Sequence, residues 1–284
     1  MDIQRVRKNR LEDRVRRGIQ TGKDSMQMTE YRVMINGIQV TAHYSQRAID
    51  EIFLPLLRRL TGLWQKKGSR VLVLLAAPPG CGKTTLASFL EKLSREREGL
   101  CPLQAIGMDG FHRRQEYLKS HMAQRDGRPV SLVEIKGAPI TFDLPGLTER
   151  VKRVAAGEKC GWPVYDRLLH NPVEDALRVE GRIVLLEGNY LLLEEEGWRA
   201  LSACADYTLS IAAEEALLRA RLIDRRIQTG VDREAAVRIV DFSDMPNVRL
   251  CLEKTGQADC ALQIDGAGDY HWKDAAPQQK GDSP

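Results

Sequence analysis

The chain has 284 residues, 43% of them hydrophobic, and 43 Lys/Arg against 39 Asp/Glu for a net charge of +4; that length allows one large α/β domain with appendages or two small ones. No apolar run reaches a membrane span and the N-terminus lacks the apolar core of a secretory signal. The six cysteines (81, 101, 160, 204, 251, 260) show no paired spacing, which argues against a zinc cage or disulfide framework and for reduced thiols in a cytoplasm.

Residues 1–25 hold eight Lys/Arg and four Asp/Glu, so they carry the whole positive excess and the body is neutral. Residues 1–28 read as a basic, solvated extension, or as sequence ahead of a start at Met26 or Met28. An RNA-binding arm is the rival reading. Tyr31–Ile35 and Ile38–Tyr44 alternate apolar and polar residues around Asn36-Gly37, which predicts a hairpin with a type I′ turn. Ser45 has the character of an N-cap. Arg47–Leu63 follows with apolar residues at helical spacing and Pro55 as a kink or restart. Residues 29–68 are therefore expected to pack on the core as a hairpin and helix.

The run Val71–Thr85, VLVLLAAPPGCGKTT, reads as a buried strand followed by a phosphate-binding loop. The pattern G-x-x-x-x-G-K-[ST] is met by Ala77 to Thr84, with Ala77 in place of the first Gly, which a negative φ tolerates. Gly80, Cys81, Gly82, Thr84 and Thr85 bring backbone amides to the phosphates, and the helix N-terminus faces the same anion. Lys83 reaches the β- and γ-phosphates, and the Thr84 hydroxyl can ligate Mg²⁺. Lys83 and the helix N-terminus both lower a thiol pKa, which would make Cys81 oxidisable. The alternative is a small residue filling an undemanding position.

Further strands are predicted at Leu103–Met108, Ile183–Leu186, Tyr207–Ile211 and Ala261–Ile264. Helices are predicted at Thr84–Glu98, Leu147–Ala156, Glu214–Ile227 and Asp232–Val240. This alternation implies a P-loop three-layer α/β sandwich around a parallel five-stranded sheet over residues 69–266. Residues 111–163 are expected to hold a substrate insertion, about 214–232 a lid, and 267–284 a disordered tail.

Three features extend the chemistry. Asp109 ends a strand in GMDGFH, where a carboxylate can accept the proton of an attacking hydroxyl; a plain Asp-Gly turn is the alternative. Glu187 ends the strand RIVLL, where an acid works on a Mg²⁺ shell. Arg221 and Arg225 are i, i+4 on RARLIDRRIQTG and share a face suited to neutralising a transferring phosphoryl group; a solvated basic face is the alternative.

The stretches AAPPGCGKTT, MDGFH, KGAPITFDLPGL, WPVYDR, LLEGNYLLL, RLIDRRIQTG and SDMPN together resemble the P-loop kinases of the uridine kinase, phosphoribulokinase and pantothenate kinase superfamily. The nearest branch is the nucleoside/nucleotide kinase family that includes fructose-transport-system kinase-like proteins, and the resemblance runs from about Arg70 to Ala261. It implies an ATP- and Mg²⁺-dependent phosphotransferase. Asp109 would be base or hydroxyl ligand, Thr84 and Glu187 would be magnesium-associated, and Arg221 and Arg225 would be lid arginines. His112, Lys136, Asp143, Tyr165, Asp166 and Arg167 would be substrate-side, and Asn247 would lie near the nucleotide-base loop. The bland alternative makes Asp143, Tyr165 and Asn247 structural turn residues. Relatives tend to be apolar where this chain has Arg113-Arg114, a pair that suits an anionic substrate or simply a surface. The expected partners are ATP and a small-molecule alcohol, with a homodimer in view and no nucleic acid or membrane. A sugar or polyol is slightly favoured as acceptor by fold analogy, ahead of a nucleoside or pantothenate-like alcohol. The rivals are a regulatory nucleotide-binding ATPase and an RNA-associated P-loop protein; a GTP switch would need an N-K-x-D motif, which is absent.

Overall fold

The computed structural model describes residues 28–35 and 38–273. The readings made for the basic extension, for the Asn36-Gly37 turn and for residues 274–284 lie outside them.

Strand β1 (Met28–Ile35) pairs antiparallel with β2 (Ile38–Ser45). Ser45 Oγ then accepts from Ala48 N at 3.0 Å, the N-cap bond that starts the next helix. That helix runs from Gln46 through a π-helical segment, Ile49–Phe53, into α1 (Leu54–Lys67). Pro55 sits at the start of α1, so the missing proline N–H falls beside the π-bulge and the helix continues. Tyr31 and Tyr44 fasten the hairpin to the core. Tyr44 stacks on Phe89 with ring centres 4.3 Å apart, and the Tyr31 hydroxyl lies 3.0 Å from Ser88 Oγ.

The central sheet is ordered β12-β11-β10-β3-β9-β4. Its members are β3 (Val71–Ala76), β4 (Leu103–Gly107), β9 (Ile183–Gly188), β10 (Tyr207–Ala213), β11 (Cys260–Ile264) and β12 (Tyr270–Trp272). The first five pair in parallel, as their apolar runs predict. Strand β12 adds an antiparallel edge on β11. The expectation of a disordered tail from residue 267 therefore fails at Tyr270–Trp272, because Tyr270 is buried in the aromatic cluster with Tyr44 and Phe53.

Successive β3 side chains enter opposite cores, as the two-residue period requires. Val71, Val73 and Leu75 pack in one cluster with α1 and α2 (Lys83–Glu96), and Leu72, Leu74 and Ala76 pack in the other with α3 (Leu144–Ala155). The remaining long helices are α4 (Glu215–Gln228), α5 (Arg233–Ile239, capped by Asp232) and α6 (Met245–Lys254). Residues 111–163 contain the hairpin β5 (Met122–Arg125) and β6 (Arg128–Ser131). A second hairpin, β7 (Cys160–Asp166) with β8 (Asn171–Val179), crosses the carboxyl end of β4. Trp162 Nε1 donates to Gly107 O at 2.8 Å to hold it there.

Candidate active site

Three parallel strands deliver the site. In their register Leu75 of β3 and Gly107 of β4 both lie opposite Glu187 of β9, so the β9 acid emerges between the P-loop strand and the Asp109 strand. After β3 the chain turns through Gly80 (φ 86°) and Gly82 (φ 77°), left-handed conformations that need glycine, and enters α2 at Lys83. No heavy atom lies within 4 Å of where a Gly82 Cβ would stand, so the loop's mouth is open for phosphate oxygens. Thr85 is buried, leaving only its backbone in the helix's first turn available.

Thr84 Oγ1 donates to Glu187 Oε1 at 2.9 Å. Glu187 is only 5% exposed, and burial pushes its carboxyl up to about 7. Lys83 and the Thr84 hydroxyl pull the other way, and the Asp109 charge adds to the rise. Asp109 sits in the 3₁₀ turn Met108–Phe111 that follows β4. A Cβ on Gly110 would stand 1.9 Å from the Pro163 carbonyl oxygen. Gly110 thus admits the β7 strand against the Asp109 turn, a packing role beyond the turn expected from the sequence. Thr84, Asp109, Tyr165 and Glu187 line one cleft of about 220 Å³, walled by Trp162, Pro163 and Val164.

Lys136, His112 and Tyr165 meet beside Asp109. Lys136 Nζ donates to the Tyr165 hydroxyl and lies 4.2 Å from that ring's centre. Burial pushes Lys136 down to about 8, opposed by Asp109 and assisted by Arg167. His112 stacks on Phe142 at 4.0 Å and burial pushes it down to about 4, so it is neutral at physiological pH. Its Nδ1 is buried with no partner among the described residues.

Arg221 and Arg225, paired on α4, face different neighbours. Arg221 acts on Cys81 and Tyr270, at the P-loop. Arg225 is exposed, yet the protein atoms around it lower its pKa, with Asp244 and Asp109 opposing. Arg226 takes Asp244 in an ion pair of 2.7 Å.

Several expectations need correction. Cys81 is 1% exposed, and burial pushes its thiol up to about 12 despite Lys83 and Arg221, so the activated thiolate does not form. Asn247 lies in α6, not in a loop; it is buried and its Nδ2 donates to Ser243 O at 3.0 Å. Asp166 Oδ1 accepts from Leu168 N and Leu169 N at 2.8 and 2.9 Å, which commits it to the β7–β8 turn. Asp143 precedes α3 and pairs with Arg113 at 3.2 Å in a neighbouring cleft of about 470 Å³. Sequence reading missed a third cleft, of about 200 Å³, lined by Pro78, Ser210, Thr255 and Gln257 beside the start of the P-loop.

This is the frame of a P-loop phosphotransferase. Residues 72–265 match the Phosphoribulokinase / Uridine kinase family, and the chain belongs to it. It is 39% identical to "Uncharacterized protein YggC" of Escherichia coli K12 over 84% of this chain and 97% of that one. It is 33% identical to "Putative uridine kinase C227.14" of Schizosaccharomyces pombe over 70% of this chain and 85% of that one. A solved structure described as a putative fructose transport system kinase from Silicibacter sp. TM1040 superposes with a TM-score of 0.61 at 31% identity. It covers 71% of this chain and 98% of that one. Membership in this kinase family implies ATP as the phosphoryl donor. Among the described residues no helix is long and apolar enough to cross a membrane.

Proposed function

We propose that the chain transfers the γ-phosphoryl group of ATP to a hydroxyl of a small metabolite, with Asp109 as base. The observation that carries this reading is the single cleft in which Thr84, Asp109 and Glu187 face one another at the end of the P-loop.

The residues present suit Mg²⁺–ATP. Among the described residues no three His, Cys, Asp or Glu side chains gather into a metal cage. The Thr84–Glu187 oxygen pair is the sparse, hard donor set that Mg²⁺ uses when phosphates and waters complete its shell. A bound Mg²⁺ would neutralise charge on the transferring phosphates, with Thr84 and Glu187 as the groups that would hold it.

The chain's own groups then divide the work. The P-loop amides and Lys83 hold the phosphates, and Arg221 and Arg225 on α4 cover them from the lid side. The cleft beside Pro78 and Gln257 takes the base. Asp109 accepts the proton of the acceptor hydroxyl as its oxygen bonds to the γ-phosphorus and the bond to ADP breaks. Lys136, Tyr165 and the neutral His112 orient the acceptor. ADP release from Mg–ATP across a panel of alcohols, run beside Asp109→Asn, tests the reading. Acceptor-stimulated release that the variant loses supports it, and release indifferent to both refutes it.

A further inference from the structure

We propose that the phosphate acceptor is itself an anion: an alcohol bearing a carboxylate or phosphate group that Lys136 and Arg167 receive beside Asp109. The proposal rests on the phosphotransferase reading and adds to it the chemical class of the substrate.

The cations of the site fall into two groups by their place in the chain. Lys83, on the P-loop, and Arg221 and Arg225, on α4, belong to the nucleotide side. Lys83 acts on the buried Glu187; Arg225 shares the field of Asp244 with Arg226 and also faces Arg167 and Asp109 across the cleft. Lys136 and Arg167 come from the acceptor side: one from the segment between β6 and α3, the other from the turn joining β7 to β8. Neither makes an ion pair with a carboxylate among the described residues, whereas Arg113, Arg150 and Arg153 close by all do.

Lys136 is the more constrained of the two. Its ammonium is half-buried, lies over the Tyr165 ring and donates to a neutral hydroxyl. Four groups face it electrostatically. Asp109 favours its charge and Arg167 opposes it; Tyr165 and His112 are neutral, Tyr165 raised by burial and His112 lowered by burial with Lys136 and Arg167 adding to the fall. One carboxylate, Asp109, therefore serves both Lys136 and, from α4, Arg225, while Arg167 opposes both. A partly desolvated ammonium without its own counter-ion is unfavourable until an anion arrives, and the lowered Lys136 pKa reflects that. With Mg–ATP answered by Lys83 and the lid arginines, the remaining positive charge belongs to the acceptor. The Arg113-Arg114 pair does not serve this purpose. Arg113 is bound to Asp143 and stacked over Tyr117, 5.1 Å from its centre, in the separate cleft.

The test uses the full chain saturated with Mg²⁺ and a non-hydrolysable ATP analogue, which occupies the P-loop. Inorganic phosphate is titrated by calorimetry into wild type, Lys136→Gln and Arg167→Gln. The expected result is phosphate binding to wild type that each substitution weakens at least about tenfold, roughly the loss of one charge-assisted contact. Above pH 8, where phosphate is already a dianion, binding to wild type should also weaken as Lys136 loses its proton, and Lys136→Arg should lessen that slope while restoring affinity. Retained analogue binding shows that the variants are folded. No phosphate binding, or equal binding in all three proteins, overturns the proposal. Matched pairs run in the ADP-release assay separate the two claims: glycerol against glycerate, and ribose against ribose 5-phosphate. Preferred turnover of the neutral members overturns the anionic acceptor and leaves the kinase reading standing. Lys136-dependent phosphate binding with no ADP release from any pair supports the anion site and contradicts the kinase reading.

Discussion

Thr84 and Glu187 are 103 residues apart in sequence and joined by a hydrogen bond of 2.9 Å at the mouth of the P-loop. The bond ties the first turn of α2 to the end of β9. It brings together a hydroxyl and a buried carboxyl, the oxygen pair to which the proposed mechanism assigns the cation. The burial of Glu187 also makes its charge a liability to the empty protein.

The Glu187 carboxyl is raised from 4.5 to about 7. The folded state therefore binds more protons than the unfolded state between those values, and stability falls as pH rises through that window. In metal-free protein at pH 8, Glu187→Gln should melt higher than wild type by several degrees, since the shift is worth on the order of a few kcal/mol and each kcal/mol moves a domain of this size by about 2–4 °C. The difference should vanish near pH 4.5. Thermal melts in a chelating buffer decide it, and an equal or lower melting temperature for the variant at pH 8 contradicts the assignment. Turnover of the variant should fall together with its Mg²⁺ dependence.

Gly110 permits the β7 strand to cross the Asp109 turn, with a would-be Cβ 1.9 Å from the Pro163 carbonyl oxygen. Neither atom belongs to a flexible side-chain end, so Gly110→Ala must move backbone. We expect a loss of about 1–3 kcal/mol in stability, typical of overpacking. Turnover should fall further, because Trp162 and Tyr165 shift with the strand. Chemical denaturation and steady-state rates together check this.

Cys81 lies within the P-loop but is buried with its thiol pushed up to about 12. Peroxide should therefore inactivate wild type and Cys81→Ser at the same rate. Protection by the serine substitution would show that the loop opens to expose the thiolate.

Much of this architecture was legible in the residues. The run Val71–Ala76 coincides with β3 because a strand covered on both faces has no polar positions to blur its ends. The P-loop, Asp109 and Glu187 were readable because each chemistry-bearing residue directly follows an apolar strand. Helix α6 was missed: SDMPN looked like a loop, whereas Pro246 occupies the first turn of a helix, where its absent N–H costs nothing. Strand β12 was missed because three residues carry too little periodicity to register, and it is held by tertiary packing of Tyr270. The separation of Arg113 from Lys136 was beyond the sequence as well, since a short helix and the hairpin β5–β6 lie between them, and tertiary contacts hold Arg113 on Asp143 and Lys136 on Tyr165.

Asp109 is the residue on which the catalytic account stands. Asp109→Asn should retain nucleotide affinity and lower turnover by roughly 10²-fold or more, the usual contribution of a positioned base. The most direct test measures ADP release from Mg–ATP with matched neutral and anionic alcohols, for wild type and Asp109→Asn, with analogue binding measured in parallel. The account predicts that an anionic alcohol stimulates release in wild type, and that the variant binds nucleotide normally but loses the stimulation. Stimulation that persists in Asp109→Asn would contradict it.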